Sequence, residues 1–390
     1  MELYEVLRTA KRRTLQVIED VFKSAIHIIG QGGQAAMSTI IASKGSLPMS
    51  EKSKMLVTPE GKIIGTVGGG CLEADVWTEA RRVMEEGKSS IQKFILTEKY
   101  AGESGLNCGG IVEILTEPLP AQGRDIFQAI LELKDTGHRG TLVTILTDHP
   151  RYPEGQRKLL LCDDGHTVGS LGDATLEAFV ADKGYAVLEG EEFAIVDYQI
   201  EAGSTIKLFM EPVLPTPTVY VFGGGHVSFF VVRAAKLAGF KVKVIDDRPA
   251  FANQERFPEA DATIVMEFDQ VRDAFDFGQD DYIVLVTRGH QHDQHILEQI
   301  YDCSARYIGM IGSKSKISKM WKRLEGKGIE RAYLDRVHAP IGLNIGADTP
   351  EEISISVVAE LIRERREGKV KTTRRKRSHD ARREAASVTG

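Results

Sequence analysis

The stretch VYVFGGGHVSFFVVRAAKLAGFKVKVIDDRP, residues 219–249, constrains the fold more than any other part of the chain. Val219–Phe222 reads as a short buried strand, Val227–Ala238 as a helix stopping at Gly239, and Lys241–Ile245 as a second strand. Strand, glycine turn, helix and strand in so few residues point to a right-handed crossover between parallel strands. Gly223 and Gly225, with Gly224 between them, supply the tight turn and the close backbone approach that a pyrophosphate requires. The amides opening the helix at His226 suit the same group. Asp246 lies 21 residues beyond Gly225, at the tip of the second strand, where a carboxylate accepts from a ribose hydroxyl. Ser228 stands where the dinucleotide fingerprint has its third glycine. Arg248 favours an extra phosphate and Asp246 repels one, so NAD and NADP both stay open.

The alternation continues through Ala262–Val265, Tyr282–Thr287 and Tyr307–Ile311, which predicts a Rossmann-like domain with a parallel sheet over residues 219–365. Arg288, Gly289, His290 and Asp293 follow the Tyr282–Thr287 strand, at the sheet edge where ligands gather. Arg288 suits a phosphate, and Asp293 suits the cap of the next helix. His292 and His295 are three apart, but no fourth metal ligand accompanies them. Gly312 and Ser313, followed by Lys314 and Lys316, form a further anion-type loop. Thr349-Pro350-Glu351-Glu352 carries the pattern of a capping box.

Upstream, Pro212, Pro215 and Pro217 mark a stiff linker over 212–218, with an α/β domain over 1–211 before it. Residues 1–23 read as an amphipathic helix, and the apolar runs Ala25–Ile29 and Ala36–Ala42 as strands. Thr58-Pro59-Glu60-Gly61 predicts a hairpin turn. No internal repeat is evident. Gly68, Gly69 and Gly70 lead into a helix beginning near Cys71, which makes an anion-binding N-terminus. The same amides favour a thiolate at Cys71, a soft ligand suited to a metal–sulfur centre such as molybdenum. Cys108 sits similarly, before Gly109 and Gly110.

Charge and cysteine usage exclude several classes. The net charge is −6, yet residues 363–390 hold 11 Lys/Arg against 4 Asp/Glu, leaving an acidic body with a basic tail over 366–390 that reads as disordered. That distribution disfavours a nucleic-acid-binding core. The four cysteines form no CxxC pair, no run reaches the length of a membrane span, and the N-terminus has no apolar signal region, so the chain is expected in the cytoplasm. Neither a GxSxG elbow nor a P-loop ending in GK[ST] is present, and no catalytic residue set is legible.

Blocks along most of the chain resemble the XdhC/CoxI family, accessory factors of xanthine dehydrogenase and related molybdenum hydroxylases. They are residues 54–80 and NCGGIVEILTEP (107–118) in the first domain. In the second they are VFGGGHVS (221–228), 239–261, VTRGHQHDQHIL (286–297), YIGMIGSKSKI (307–317) and 338–361. The resemblance implies that molybdenum cofactor (molybdopterin) is bound, protected while its terminal sulfur is installed, and passed to a xanthine dehydrogenase-type molybdoenzyme. It also implies a homodimer and contact with a cysteine desulfurase. The family pattern GSxPRxPGAKML is replaced here by GSLPMSEKSKML (45–56), without the arginine or the Pro-Gly step, so Lys52 or Lys54 would have to stand in. The rival reading is an NAD(P)-dependent oxidoreductase, or a redox component of such a dehydrogenase.

Overall fold

The structure, a computed structural model, describes residues 20–45, 53–68, 70–96, 110–120, 123–201 and 203–366. It divides into two compact units between Leu214 and Pro215. Among the described residues no helix is long and apolar enough to cross a membrane.

The first unit opens with helix α1 (Val21–Gly30), capped by Asp20, whose Oδ1 accepts from the Phe22 and Lys23 amides at 2.9 and 3.1 Å. The expected strand at Ala25–Ile29 lies inside this helix. A five-residue apolar run fits either state, and the Asp20 cap with Phe22 and Ala25 buried three apart decides for the helix. Strands β1 (Ala36–Lys44), β2 (Lys54–Val57) and β3 (Ile63–Gly65), helix α2 (Gly70–Glu86), and strands β4 (Ser90–Ile95) and β5 (Ile111–Pro118) follow. They form an antiparallel sheet of order β3-β2-β1-β5-β4.

The same series then runs again, contrary to the sequence expectation of no repeat. Helix α3 (Gly123–Thr136), β6 (Gly140–Ile145), β7 (Lys158–Cys162), β8 (Thr167–Gly169), α4 (Ala174–Gly190), β9 (Ala194–Glu201) and β10 (Ser204–Val213) build a sheet of order β8-β7-β6-β10-β9. The copies match in detail. Gly65 and Gly169 both have positive φ, and a Cβ on either would strike the carbonyl of the equivalent lysine, Lys54 or Lys158. Val67 and Leu171, Leu72 and Leu176, and Val76 and Val180 are buried pairwise. Few identities survive between the halves, which hid the duplication. Pro212 and Val213 belong to β10, so only residues 214–217 separate that strand from the next.

The equivalent helices α1 and α3 share one core, containing Phe22, Met37, Leu56, Phe127, Leu142 and Leu160. Two ion pairs cross between the copies. Lys54 reaches Glu211 and Lys158 reaches Glu117, each at 2.8 Å. Each lysine also donates to the threonine opposite it in its own sheet, Thr39 at 3.2 Å and Thr144 at 2.9 Å.

The second unit consists of β11 (Thr218–Phe222), α5 (His226–Leu237), β12 (Lys241–Asp246), β13 (Ala262–Val265), β14 (Asp281–Leu285), α6 (His290–Ile300), β15 (Tyr307–Met310), α7 (Lys314–Gly326), β16 (Val337–His338) and helix α8, 350–366. All six strands are parallel, in the order β13-β12-β11-β14-β15-β16, so the winding reverses between β11 and β14. Alternation along each strand feeds two cores. Tyr220, Phe222, Ile283 and Leu285 pack with α6 and α7, whereas Val219, Val221, Tyr282 and Val284 pack with α5 and α8. The capping box of α8 forms as its pattern predicts, Thr349 Oγ1 accepting from the Glu352 amide and Glu352 Oε2 from that of Thr349, both at 3.3 Å.

Candidate functional site

In open parallel sheets ligands settle where the winding reverses, beyond the carboxyl ends of the strands. Here that place is the turn after β11. Gly223 has φ +105°, and a Cβ on it would lie 2.5 Å from the Val286 carbonyl. A Cβ on Gly224 would lie 2.0 Å from the Phe251 carbonyl. Gly225 differs, because its Cβ direction is open, and as N-cap of α5 it offers no side-chain oxygen to the first amides of the helix. Ser228 is fully buried and its hydroxyl donates to the Gly223 carbonyl, so the third fingerprint position ties the turn together. His226 is exposed at the start of α5.

Asp246 does not present a free carboxylate to a ribose. It is 1% exposed, and its oxygens accept from the Gly224 amide at 2.7 Å and from the Arg248 guanidinium at 2.8 and 3.1 Å. Burial alone would raise this carboxyl, but the Arg248 and Gly224 hydrogen bonds more than offset it and hold it below the usual carboxylate range. Its work is to brace the glycine turn. Arg248 is thereby pinned, with its guanidinium 3.6 Å from the centre of the Phe251 ring.

Asp247, which the sequence argument passed over, holds the crevice together from the other side. Arg288 donates to Asp247 Oδ2 at 2.7 Å, so the expected phosphate-binding arginine is engaged by a carboxylate. Its Nε also lies 3.3 Å from His292 Nε2. Gly289 is the N-cap of α6, and Asp293 lies four residues into that helix. Asp293 is therefore no cap, and its carboxylate reaches back to accept from the Thr287 amide and hydroxyl at 3.2 and 2.7 Å. Burial raises Asp293 to about 6, against the opposing effect of Thr287. His290 is exposed, and no group of three His, Cys, Asp or Glu suited to a metal occurs among the described residues. Ser313 caps α7, accepting from the Lys316 amide at 3.4 Å, and Gly312 precedes it after β15. The structure thus gathers Gly223–His226, Asp246, Arg248, Arg288, Gly289 and Asp293 around the ends of β11, β12 and β14, with Gly312 and Ser313 one strand further on.

The second candidate lies in the first unit, at the β3–α2 turn. Thr66 Oγ1 bonds Glu73, and the Gly68 amide donates to Thr66 Oγ1 at 3.0 Å. Glu73 therefore closes the turn. The other copy repeats both bonds, since Ser170 donates to Glu177 at 2.7 Å and the Gly172 amide to Ser170 Oγ at 3.0 Å, and adds one from the Leu171 amide to Glu177 at 2.7 Å. The copies part most clearly at the position before the helix. Asp173 caps α4, its Oδ1 accepting from the Thr175 and Leu176 amides at 3.0 and 3.2 Å, and the corresponding residue before α2 is Gly69. Gly70 and Cys71 open α2, and Gly110 accepts from the Leu96 amide at 2.8 Å. Gly69, Cys108 and Gly109 lie outside the described residues, as does Lys52. Lys54 is held by Glu211 and Thr39. Burial raises the thiols of Cys162 and Cys303, which argues against a thiolate at either. Sequence reasoning missed the capped copy. Its signal was the spacing Gly-x-x-Gly followed by Leu-Glu-Ala, at 65–74 and again at 169–178.

A Rossmann-type unit joined to a duplicated antiparallel α/β unit defines a class of two-unit proteins. Family models agree with that division. The model described as the XdhC Rossmann domain matches residues 219–361, and that of the XdhC and CoxI family matches residues 28–95 and 133–199, one range in each copy. The chain belongs to the XdhC/CoxI family. It is 29% identical over 335 residues to a Bacillus subtilis (strain 168) protein named as a probable xanthine dehydrogenase subunit, covering 85% of this chain and 94% of that one. It is 25% identical over 249 residues to the uncharacterized protein YqeB of Escherichia coli (strain K12), covering 61% of this chain and 46% of that one. A crystal structure from Bacillus halodurans, described as a xanthine dehydrogenase, superposes with a TM-score of 0.72 at 26% identity, covering 89% of this chain and 96% of that one.

Proposed function

We propose that this protein is an accessory factor of a xanthine dehydrogenase-type molybdenum hydroxylase, which binds molybdenum cofactor, supports its sulfuration and inserts it into the enzyme. Family membership and the name of the Bacillus subtilis relative support the association with such a dehydrogenase. The observation that carries cofactor binding is the difference between the two copies. Asp173 occupies the amides at the head of α4 with the chain's own carboxylate, whereas the matching position in the sequence before α2 is Gly69, a residue with no side-chain carboxylate. A helix N-terminus without a carboxylate cap suits the cofactor's phosphate. Cys71, in the first turn, adds a sulfur donor of the type a soft metal centre takes. The cofactor, when bound, brings a dithiolene-held molybdenum whose terminal sulfur the client enzyme needs. The chain's part is to hold the phosphate and pterin and to shelter the metal end. A cysteine desulfurase as sulfur donor and a homodimeric carrier complete this reading.

The test is equilibrium binding of molybdenum cofactor to the full-length protein and to its Gly69→Asp and Cys71→Ala variants. Gly69→Asp is expected to install the missing carboxylate and weaken binding at least tenfold while leaving the fold intact. Binding unchanged in both variants would overturn the assignment to this loop.

A second reading concerns the other unit. The open side of Gly225 and the uncapped start of α5 favour a nucleotide phosphate there, so NAD(P) remains a candidate ligand of that turn. Titration with NADH and NADPH tests it, and stoichiometric binding without cofactor binding would favour the oxidoreductase alternative.

A further inference from the structure

A cavity of about 280 Å³ opens where the two copies meet, lined by Glu117, Pro118, Ile126, Gln156, Arg157 and Lys158 among others. The crossed ion pair Lys158–Glu117 forms part of its wall, and both side chains are only 10% exposed. Lys158 donates to Thr144 at 2.9 Å and is paired with Glu117 at 2.8 Å, and an ammonium with three hydrogens beside a carboxylate with about four lone-pair sites keeps both donor and acceptor capacity for a ligand. A donor and an acceptor side by side complement an edge on which a carbonyl sits beside an N–H.

The charges in this wall are already matched. Arg157 donates to Glu154 at 2.9 Å and to Asp148 at 2.7 Å, and Asp173 fills the amides of the neighbouring helix. An anion would meet no unmatched positive charge here and would lose its hydration without compensation. A neutral molecule avoids that loss. Pro118, Pro120 and Ile126 give the cavity an apolar lining, and its volume, just short of the roughly 300 Å³ at which drug-sized pockets begin, suits one small ring system. We infer that this cavity binds a small, neutral, flat heterocycle bearing a lactam edge, held by Glu117 and Lys158. The inference stands apart from the proposed cofactor loop, which lines no part of this cavity and suits an anion.

The experiment is calorimetric titration of the full-length protein with hypoxanthine, which is neutral and carries the lactam edge. Adenine, which lacks that edge, and urate, which is anionic, serve as comparison probes. Saturable binding of hypoxanthine, at least tenfold tighter than either, is expected. Glu117→Gln should weaken it at least tenfold. Gln156 is exposed at the cavity, so Gln156→Trp should obstruct it with the melting temperature unchanged, and binding should fall at least tenfold. Gly69→Asp should leave hypoxanthine binding as it was, which separates this inference from the cofactor reading. Absence of saturable binding, equal binding of adenine, or binding indifferent to Gln156→Trp would overturn it.

Discussion

The ring of Phe22 lies 5.6 Å from the ring of Phe127, and the two residues hold the same place in successive copies of one fold. Their neighbours agree, since a Cβ on Gly65 would meet Val21 and a Cβ on Gly169 would meet Ile126. A residue that packs on its own counterpart marks a two-fold relation, of the kind found between the protomers of a symmetric dimer. Here both sides belong to one chain.

The crossed ion pairs should be coupled. Lys54 and Glu211 are 9% and 13% exposed, so removing either charge leaves the other stranded. Lys54→Met alone is expected to cost about 3–5 kcal/mol, and Lys54→Met with Glu211→Leu clearly less than the two single changes together. Urea unfolding of the four proteins measures the coupling. Strict additivity would show that the pair contributes nothing as a pair.

Two adjacent glycines should respond oppositely to a methyl group. Gly224→Ala forces a Cβ to 2.0 Å from the Phe251 carbonyl, and backbone there must move. A loss of about 2 kcal/mol or more is expected. Gly225 has open space and a negative φ, so Gly225→Ala should stay within about 1 kcal/mol of the parent. Thermal melts of the two variants make the comparison.

Asp293 should make the protein less stable at high pH. Its folded value of about 6 exceeds the ordinary 3.8 because burial disfavours the charge. The penalty is therefore complete above about pH 6 and relieved as pH falls through 6 towards 3.8. Asn keeps an oxygen for the Thr287 hydroxyl, so Asp293→Asn is expected to stabilise by about 2–3 kcal/mol at pH 8, and by almost nothing below pH 4. Unfolding midpoints at the two pH values decide the matter.

Glu360 has the opposite sign. It is 5% exposed and accepts from Tyr307 Oη at 2.6 Å and the Gly342 amide at 2.7 Å, with His338 Nδ1 3.4 Å away. Burial would raise it, but the hydrogen bonds from His338, Tyr307 and Gly342 bring it down to about 2. Its stabilisation is present above the ordinary 4.5 and lost as pH falls towards 2. Glu360→Gln should cost about 3 kcal/mol at pH 7 and flatten acid unfolding between pH 5 and 2. An unchanged acid profile would refute that.

Five strands of the second unit were legible because each is short, apolar and set off by glycine or a helix, whereas β16, two residues long, has no period to read. The Thr349 capping box was legible for the same reason, being local. What escaped reading was pairing at a distance. Nothing in the string tells that Asp246 faces the Gly224 amide or that Arg288 will find Asp247. The Ala25–Ile29 run misled because five apolar residues have no period of their own. The duplication escaped because what the copies share is a pattern of small turns and buried positions, carried by residues as different as Thr66 and Ser170 or Val67 and Leu171.

In a pair of identical protomers every substitution is made twice, and neither partner can acquire a feature alone. Joining the two copies end to end removes that bond between them. Asp173 can settle over one helix while the matching residue of the other copy stays glycine, and selection can then act on each loop by itself. Asymmetry of that kind is inherited with the chain, and does not have to be remade each time two molecules meet.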